Sequence, residues 1–430
     1  MLDTLAVLVS LTALCAYLNH RFIRLPMAIG VMSLALAGSL LLLLAGGLGI
    51  GDLGTRAEAL VATIDFNEVV MHGMLAALLF AGAMGVELER LRDQKLPIGL
   101  LASLGTLGAT LLVGAGSYII FSMLGLGIPF LYCLLFGALI APTDPVAVLG
   151  ILRSAGAPPS LETKITGESL FNDGVAVVVF TILLELATGE GGGLGHGLWL
   201  FVQEALGGVV FGMMLGTLGF WLIRSIDHHD VEVLLTLALV LGGYALAMRL
   251  HLSGPIAVVV AGLMIGNHGR VLAMSARTRE HLDTFWAMVD EILNALLFVL
   301  IGLEVLILDL EPRYLVAVPL SIALVLLARL LSVGAPVVAL RRMAGRDFTP
   351  HAVKLLTWGG LKGGISVALA LALPAGPERE LILVVTYGVV AFSILVQGLS
   401  IGRMVRGLLD ERKLSPEPDD AASSGAQHGE

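Results

Sequence analysis

The stretch Ala141-Pro142-Thr143-Asp144-Pro145 interrupts an apolar run that extends from residue 128 to residue 150. A proline inside a helix removes a backbone donor and clashes with the preceding turn, so the two prolines around Thr143 and Asp144 predict a broken helix. Carbonyl groups and helix ends freed by such a break bind cations in membrane transporters. A charge at the centre of a bilayer costs at least about 2.5 kcal/mol. Asp144 therefore indicates an ion or proton path, and a proline kink with an incidental acid is the weaker interpretation.

The rest of the chain predicts a polytopic, all-α membrane protein. Of its 430 residues, 57% are hydrophobic and 14% are charged, whereas soluble proteins carry about 25% charged residues. A spanning helix needs roughly 20 apolar residues, and on that measure the sequence predicts about thirteen transmembrane helices. They lie at about 3–19, 26–46, 66–88, 97–123, 128–150, 163–187, 198–224, 231–249, 254–267, 284–308, 313–340, 351–374 and 380–406.

Basic residues set the predicted orientation, because Lys and Arg collect on the cytoplasmic side of membrane proteins. They concentrate in alternate loops, which include Arg90, Arg153 and Arg270. This asymmetry predicts a multi-pass protein of the cell membrane with its N-terminus outside and its C-terminus in the cytoplasm.

We expect membrane lipid around the helices and no nucleic-acid partner, since no basic patch with interleaved aromatic residues is present. Cys15 and Cys133 lie in apolar runs, which argues against a disulfide framework or a cysteine metal site, and no cofactor is expected.

A second acidic motif, Gly167-Glu168-Ser169-Leu170-Phe171-Asn172-Asp173-Gly174, falls in the sixth predicted span. On a helix, Glu168 and Asn172 share one face, and Ser169 and Asp173 share the adjacent face. The rise of about 1.5 Å per residue places Asp173 at a depth similar to that of Asp144. Carboxylate and hydroxyl oxygens are the ligands that small hard cations prefer. A proton and a cation would then compete for one site, which is sufficient for antiport if the site faces one side at a time.

Two basic residues, Arg329 and Lys362, lie inside predicted spans. A guanidinium keeps its charge, so Arg329 needs a buried acid, and Glu168 is the best candidate for a structural ion pair that leaves the two aspartates free. Lys362 lies in the glycine-rich segment 359–364, which predicts a second weakened helix whose dipole ends the lysine supports. A glycine packing face is the alternative interpretation. The fifth and twelfth spans are each the middle of three, which indicates inverted repeats with the ion site between them.

Four segments in this order resemble the monovalent cation/proton antiporter family 1, which contains the NhaP-type antiporters and the eukaryotic sodium/proton exchangers. They are Thr143-Asp144-Pro145, Gly167-Glu168-Ser169-Leu170-Phe171-Asn172-Asp173, Leu297-Phe298-Val299-Leu300-Ile301-Gly302-Leu303 and Trp358-Gly359-Gly360-Leu361-Lys362-Gly363-Gly364. The resemblance covers essentially the whole membrane region. It implies an NhaA-like antiporter fold with two crossed broken helices, a homodimer, and elevator-like movement of a core domain.

The resemblance also implies a division of the chain into domains. Two dimerisation segments alternate with two core segments, and a linker helix lies between the halves. Composition predicts a disordered cytoplasmic tail after the last core helix. The boundaries are 1–95 for dimerisation helices 1–3, 96–190 for core helices 4–6, 191–230 for linker helix 7, 231–310 for dimerisation helices 8–10, 311–408 for core helices 11–13, and 409–430 for the tail.

Individual ion ligands follow from the resemblance as expectations. It implies that Asp173 is the essential acid that binds both the cation and the proton. Asp144, Ser169 and the main-chain carbonyl of Thr143 would complete the Na⁺ site. Asn172 before Asp173, in place of a second aspartate, implies electroneutral exchange of one proton for one cation.

Other expectations concern residues around these ligands. The resemblance implies that Glu168 pairs with Arg329 and with Asn172. The family usually has arginine where this chain has Lys362, and many relatives carry an acid at the position of Ala81. A buried lysine keeps the charge but loses its proton more readily than arginine, which implies a different pH sensitivity. Alanine at position 81 implies that an extra acidic contact in the ion funnel is missing.

The predicted function is secondary antiport of Na⁺ or Li⁺ against H⁺, and the chain is not expected to be an enzyme. A potassium/proton antiporter of the same fold is the near alternative. Two alternatives belong to different classes of protein, namely a channel and an intramembrane aspartyl protease that uses Asp144 and Asp173. The neighbouring amide of Asn172 and hydroxyl of Ser169 fit an ion site better than a protease site. Asn294, together with Asp290 and Glu291, is a candidate for the lining of a cytoplasmic funnel.

Overall fold

The computed structural model describes residues 2–47, 66, 68–189, 194–308, 311–344, 348 and 351–414. Within these ranges the chain is helical and contains no β-strand. The predicted tail begins at residue 409, whereas the last helix extends to Leu414. The rest of that tail, and residues 48–65 of the first predicted domain, lie outside the described residues.

The principal helices are numbered α1 to α15 in chain order. They are α1 Leu5–Ile23, α2 Met27–Gly46, α3 Glu68–Met84, α4 Lys95–Met123, α5 Phe130–Ile140, α6 Val146–Ser154, α7 Pro159–Thr188, α8 Trp199–Arg224, α9 His229–Arg249, α10 Gly254–Gly269, α11 Ala276–Glu304, α12 Pro312–Arg342, α13 Ala352–Trp358, α14 Gly364–Leu371 and α15 Pro377–Leu414.

Each predicted span coincides with one of these helices or with a pair of them. The fifth span consists of α5 and α6, and the twelfth consists of α13 and α14. The all-helical prediction is therefore confirmed for the described residues. In that part of the chain, eight helices are long and apolar enough to cross a membrane, namely α1, α2, α4, α7, α8, α9, α12 and α15. The total of thirteen crossings stays a prediction.

Glycines allow the predicted linker helix α8 to pack closely along α10. A Cβ added at Gly208 would lie 2.8 Å from the carbonyl oxygen of Ser253, and one added at Gly216 would lie 2.8 Å from the sulfur of Met264. Helices in lipid associate through such close packing, since the surrounding tails are as apolar as the helices. The linker helix is therefore fixed against α10 rather than suspended between the two halves.

Two apolar clusters organise the interior. One joins α3, α9, α10 and the first part of α11, and it includes Phe80 and Trp286 with ring centroids 4.7 Å apart. The other joins α1, α2 and the later part of α11 to the helices on either side of the two interrupted spans. This second cluster contains helices from both predicted kinds of domain. The division into core and dimerisation domains is thus not visible as a gap in the apolar packing, and it stays a prediction.

Candidate ion-binding site

The two interruptions of helix lie against each other. Residues 141–145 separate α5 from α6, and residues 359–363 separate α13 from α14. The backbone N–H of Asp144 donates to the carbonyl oxygen of Leu361 at 2.8 Å. Each interruption therefore supplies a hydrogen-bond partner to the other, as buried backbone groups away from water require.

A π-helical turn of α15, Ser393–Gly398, supports the second interruption. The hydroxyl of Ser393 accepts a hydrogen bond from the backbone N–H of Lys362 at 2.9 Å. The side-chain amide of Gln397 donates to the carbonyl oxygen of Trp358, the last residue of α13, at 3.0 Å. Such turns occur frequently at functional sites because they aim side chains that a regular helix would place elsewhere.

The side chain of Lys362 crosses from the second interruption to the first. Its ammonium donates to the carbonyl oxygens of Ala141 and Pro142 at 3.0 and 3.1 Å. These carbonyls lie just beyond the C-terminal end of α5, where the helix dipole is negative and a cation is favoured. Lys362 is only 4% exposed, and its hydrogen bonds match the dipole-supporting role that the sequence suggested.

Asp144 lies at the N-terminal ends of two half-helices. Its Oδ1 accepts a hydrogen bond from the backbone N–H of Val146 at 2.8 Å, which caps α6. Its Oδ2 faces Gly363, the residue before α14, so closely that a Cβ at Gly363 would lie 2.6 Å from it. A carboxylate is favoured at a helix N-terminus because the unpaired N–H groups carry partial positive charge.

Helix α7 holds the first interruption through Thr143. The hydroxyls of Thr143 and Ser169 are 2.8 Å apart. The amide of Asn172 donates to the Thr143 hydroxyl at 2.9 Å and accepts from its backbone N–H at 3.4 Å. Ser169 and Asn172 thus form hydrogen bonds with Thr143, the residue before Asp144. The implied contact between Asn172 and Glu168 is replaced by these bonds to Thr143.

Asp173 follows on the same helix and approaches the two charged residues of the interruptions. It is 7% exposed and lines the same cavity as Asp144. The structure therefore brings together the two aspartates and the lysine that the sequence placed on three different spans.

Glu168 and Arg329 form a separate ion pair behind this site. The Arg329 guanidinium donates to Glu168 Oε1, and its other terminal nitrogen donates to the carbonyl oxygen of Leu356 at 3.3 Å. A Cβ at Gly360 would lie 2.6 Å from Arg329 Nε, so a larger residue there would displace the guanidinium. The pair joins α7, α12 and α13, and neither of its members lines the cavity described next.

A cavity of about 490 Å³ connects the aspartates with one face of the protein. Asp144 and the buried Asp173 line it, and so do Arg90 and Arg153, which are exposed, and the half-buried Arg270. These three arginines belong to the loops that the charge pattern assigns to the cytoplasm. The aspartates therefore communicate with the predicted inner side in this conformation.

The cavity wall contains residues that the sequence named and residues that it did not. Asp290 and Asn294 line it, and the Asn294 amide donates to Asp290 Oδ1 at 3.0 Å. Ala81, which the sequence analysis noted for the absence of an acid, lines it too. Asp283, which pairs with Arg270 at the mouth, was missed because two charged residues thirteen positions apart on different helices give no local sequence signal.

Comparison with known proteins places these features in a family. The family model described as sodium/hydrogen exchanger, transmembrane, matches residues 9–407. The chain is 56% identical over 409 residues to the Na(+)/H(+) antiporter NhaP of Pseudomonas aeruginosa, covering 94% of this chain and 96% of that protein. It is 36% identical over 361 residues to the Na(+)/H(+) antiporter NhaH of Halobacillus aidingensis, covering 82% of this chain and 86% of that protein.

A solved structure shares the fold. The sodium proton antiporter MjNhaP1 from Methanocaldococcus jannaschii matches with a TM-score of 0.64 and 21% identity, covering 89% of this chain and 99% of that one. At that identity the likeness concerns the arrangement of helices and not the activity.

Proposed function

Because the chain belongs to the sodium/hydrogen exchanger family, we propose that it exchanges Na⁺ for H⁺ across the membrane in which its helices lie. It is a secondary transporter and not an enzyme. The observation that carries the proposal is that Asp144 and Asp173, from two elements of the chain, line one cavity. Carboxylate oxygens are suitable ligands for a hard cation and also accept protons.

The charge balance of the site supports an exchange of one cation for one proton. Glu168 and Arg329 neutralise each other. Asp144 and Asp173 together carry two negative charges when ionised, and Lys362 supplies one positive charge. One negative charge then remains on carboxylates inside the protein, of which Asp173 is 7% exposed, and an uncompensated charge at a buried position is costly. Either one Na⁺ or one H⁺ removes it, so the two compete and the loaded site has the same charge in both cases.

The proposed ligands are the ones that the family resemblance implies. Asp173 takes the proton or the cation, and Asp144 and the carbonyl of Thr143 contribute further oxygens. Ser169 belongs to the Na⁺ site with Asp144 and Asp173, and it also fixes Thr143 together with Asn172. Lys362 keeps the two interruptions together without occupying the carboxylates, because its ammonium is bound to backbone carbonyls.

Transport also requires that the site open to the opposite side. We infer that the core segments 96–190 and 311–408 carry the site past the dimerisation segments in an elevator movement, within a homodimer. The cavity ends among the arginines of the predicted cytoplasmic loops, so this conformation is the one that faces the cytoplasm. The N-terminus is then outside and the C-terminus inside, in the cell membrane.

The test uses purified protein in liposomes that contain a pH-sensitive dye. A proton gradient is imposed, and Na⁺, Li⁺ or K⁺ is added outside in turn. We expect Na⁺ to dissipate the gradient for wild type and for the exposed-loop control Asp227→Asn, but not for Asp173→Asn. An imposed membrane potential should leave the rate unchanged, since the exchange is electroneutral.

Two outcomes would change the proposal. Dissipation by K⁺ in preference to Na⁺ would favour the potassium/proton alternative, which uses the same site. If no cation dissipates the gradient at any pH from about 5 to 9, the range in which perturbed acids titrate, antiport is refuted and the protease and channel interpretations return.

A further inference from the structure

Ser366 lies two residues after the glycine-rich segment 359–364, and the function proposed so far gives it no role. It is the third residue of α14 and is 1% exposed. Its hydroxyl oxygen has no hydrogen-bond partner within the described part of the chain. The residue nevertheless lines the cavity that contains Asp144 and Asp173.

The other hydroxyl groups of this cavity lining have partners. Thr163 donates to the carbonyl oxygen of Pro159 at 3.0 Å, and Thr166 donates to that of Glu162 at 2.9 Å. The Thr143 hydroxyl bonds with Ser169 and Asn172. A buried hydroxyl without a partner is unfavourable, so the Ser366 oxygen is expected to find its partner in whatever occupies the cavity.

The position of Ser366 in the chain places it beside the aspartates. Gly363, directly before α14, is in contact with Asp144. Ser366 follows three residues later, or about 4.5 Å along the helix axis. The first interruption, α7 and α14 therefore each contribute an oxygen-bearing side chain to one cavity, namely Asp144, Asp173 and Ser366. Only the two aspartates carry charge.

We propose that the Ser366 hydroxyl is a direct ligand of the transported cation. This deepens the proposed antiport and rests on it. Hard cations prefer several oxygen ligands, and a neutral hydroxyl adds one without changing the charge that a single cation must balance. A proton needs only the carboxylate to which it binds. Ser366 therefore favours the cation over the proton, whereas the aspartates serve both.

The first test measures binding of radioactive Na⁺ to the purified full-length protein in detergent. Ser366→Ala is expected to raise the Kd for Na⁺ about tenfold, since a hydrogen-bond-like contact to a charged group is lost. Ser366→Thr keeps the hydroxyl and should retain affinity close to that of wild type. The matched control is Ser321→Ala, because Ser321 on α12 is also fully buried with an unpartnered hydroxyl and does not line the cavity.

A second variant separates ligation from packing. Ser366→Cys has nearly the same size but replaces a hard oxygen with a softer sulfur, and softer ligands select softer metal ions. We expect the Kd for Na⁺ to rise in Ser366→Cys while the Kd for Tl⁺ changes much less. A purely structural role of Ser366 would move both values together or leave both unchanged.

The possible results separate the two proposals. If wild type binds Na⁺ and exchanges it for protons but Ser366→Ala binds Na⁺ as tightly as wild type, the ligand role is refuted and the antiport remains. Equal weakening in Ser366→Ala and Ser321→Ala also refutes it. If wild type itself shows no Na⁺-driven proton movement, the antiport proposal fails first.

Discussion

Gly363→Ala is the substitution that most directly perturbs the position of Asp144. The added Cβ would lie 2.6 Å from Asp144 Oδ2, 2.7 Å from its Cβ and 3.0 Å from its Cγ. The backbone of Gly363 has φ −121° and ψ −164°, an extended conformation that alanine adopts without strain. The effect therefore comes from the contact alone. Restoring an ordinary contact requires a shift of nearly 1 Å, and a misplacement of about 1 Å costs on the order of a hundredfold in rate.

Na⁺-driven proton movement in dye-loaded liposomes measures this loss, and radioactive Na⁺ binding shows whether affinity falls with it. The control is Gly150→Ala on α6, because a Cβ at Gly150 would meet nothing within 4 Å. There alanine should stabilise the helix by about 1 kcal/mol without slowing exchange. Wild-type rate and Na⁺ affinity in Gly363→Ala would show that the carboxylate of Asp144 has no required position, and the account of the site would be refuted.

Three further substitutions test the supporting contacts. Arg329→Met leaves Glu168 buried and unpaired, which should lower the free energy of unfolding by about 3–5 kcal/mol. In denaturant titrations, the double variant with Glu168→Gln should recover most of this lost stability. Equal stability of the single and double variants would contradict the pairing. Lys362→Met leaves two buried carbonyls unpaired and should cost about 1–3 kcal/mol for each, which thermal unfolding of purified protein detects. Asn172→Ala removes both of its bonds to Thr143 and should slow exchange about tenfold; an unchanged rate in liposomes would show that Thr143 needs no such support.

The fold was largely predictable because its strongest signals are local. Apolar runs of spanning length predicted the helices, and the prolines at 142 and 145 predicted the first interruption. The glycines around Lys362 gave the second. Because Arg329 keeps its charge when buried, the sequence predicted that an acid lies beside it, and in the structure Arg329 donates a hydrogen bond to Glu168.

The parts that could not be predicted depend on distance between segments remote in sequence. No pattern at Asn172 indicates that its amide turns to Thr143 instead of Glu168. Nothing in the local sequence of α15 distinguishes Ser393 and Gln397, because their role arises from a π-helical turn that brings them to residues 358–362. The last helix extends to Leu414, whereas the change of composition after residue 408 shows no signal at that position.

The central claim is that one cation and one proton compete for the site formed by Asp144 and Asp173. Proton release on Na⁺ binding tests it most directly, with purified protein in weakly buffered detergent solution and a pH indicator. We expect about one proton to be released for each Na⁺ bound when the pH lies where the site is protonated, as linkage between the two ligands requires, and no proton to be released from Asp173→Asn. Binding of Na⁺ without proton release, or undiminished release from Asp173→Asn, would contradict it.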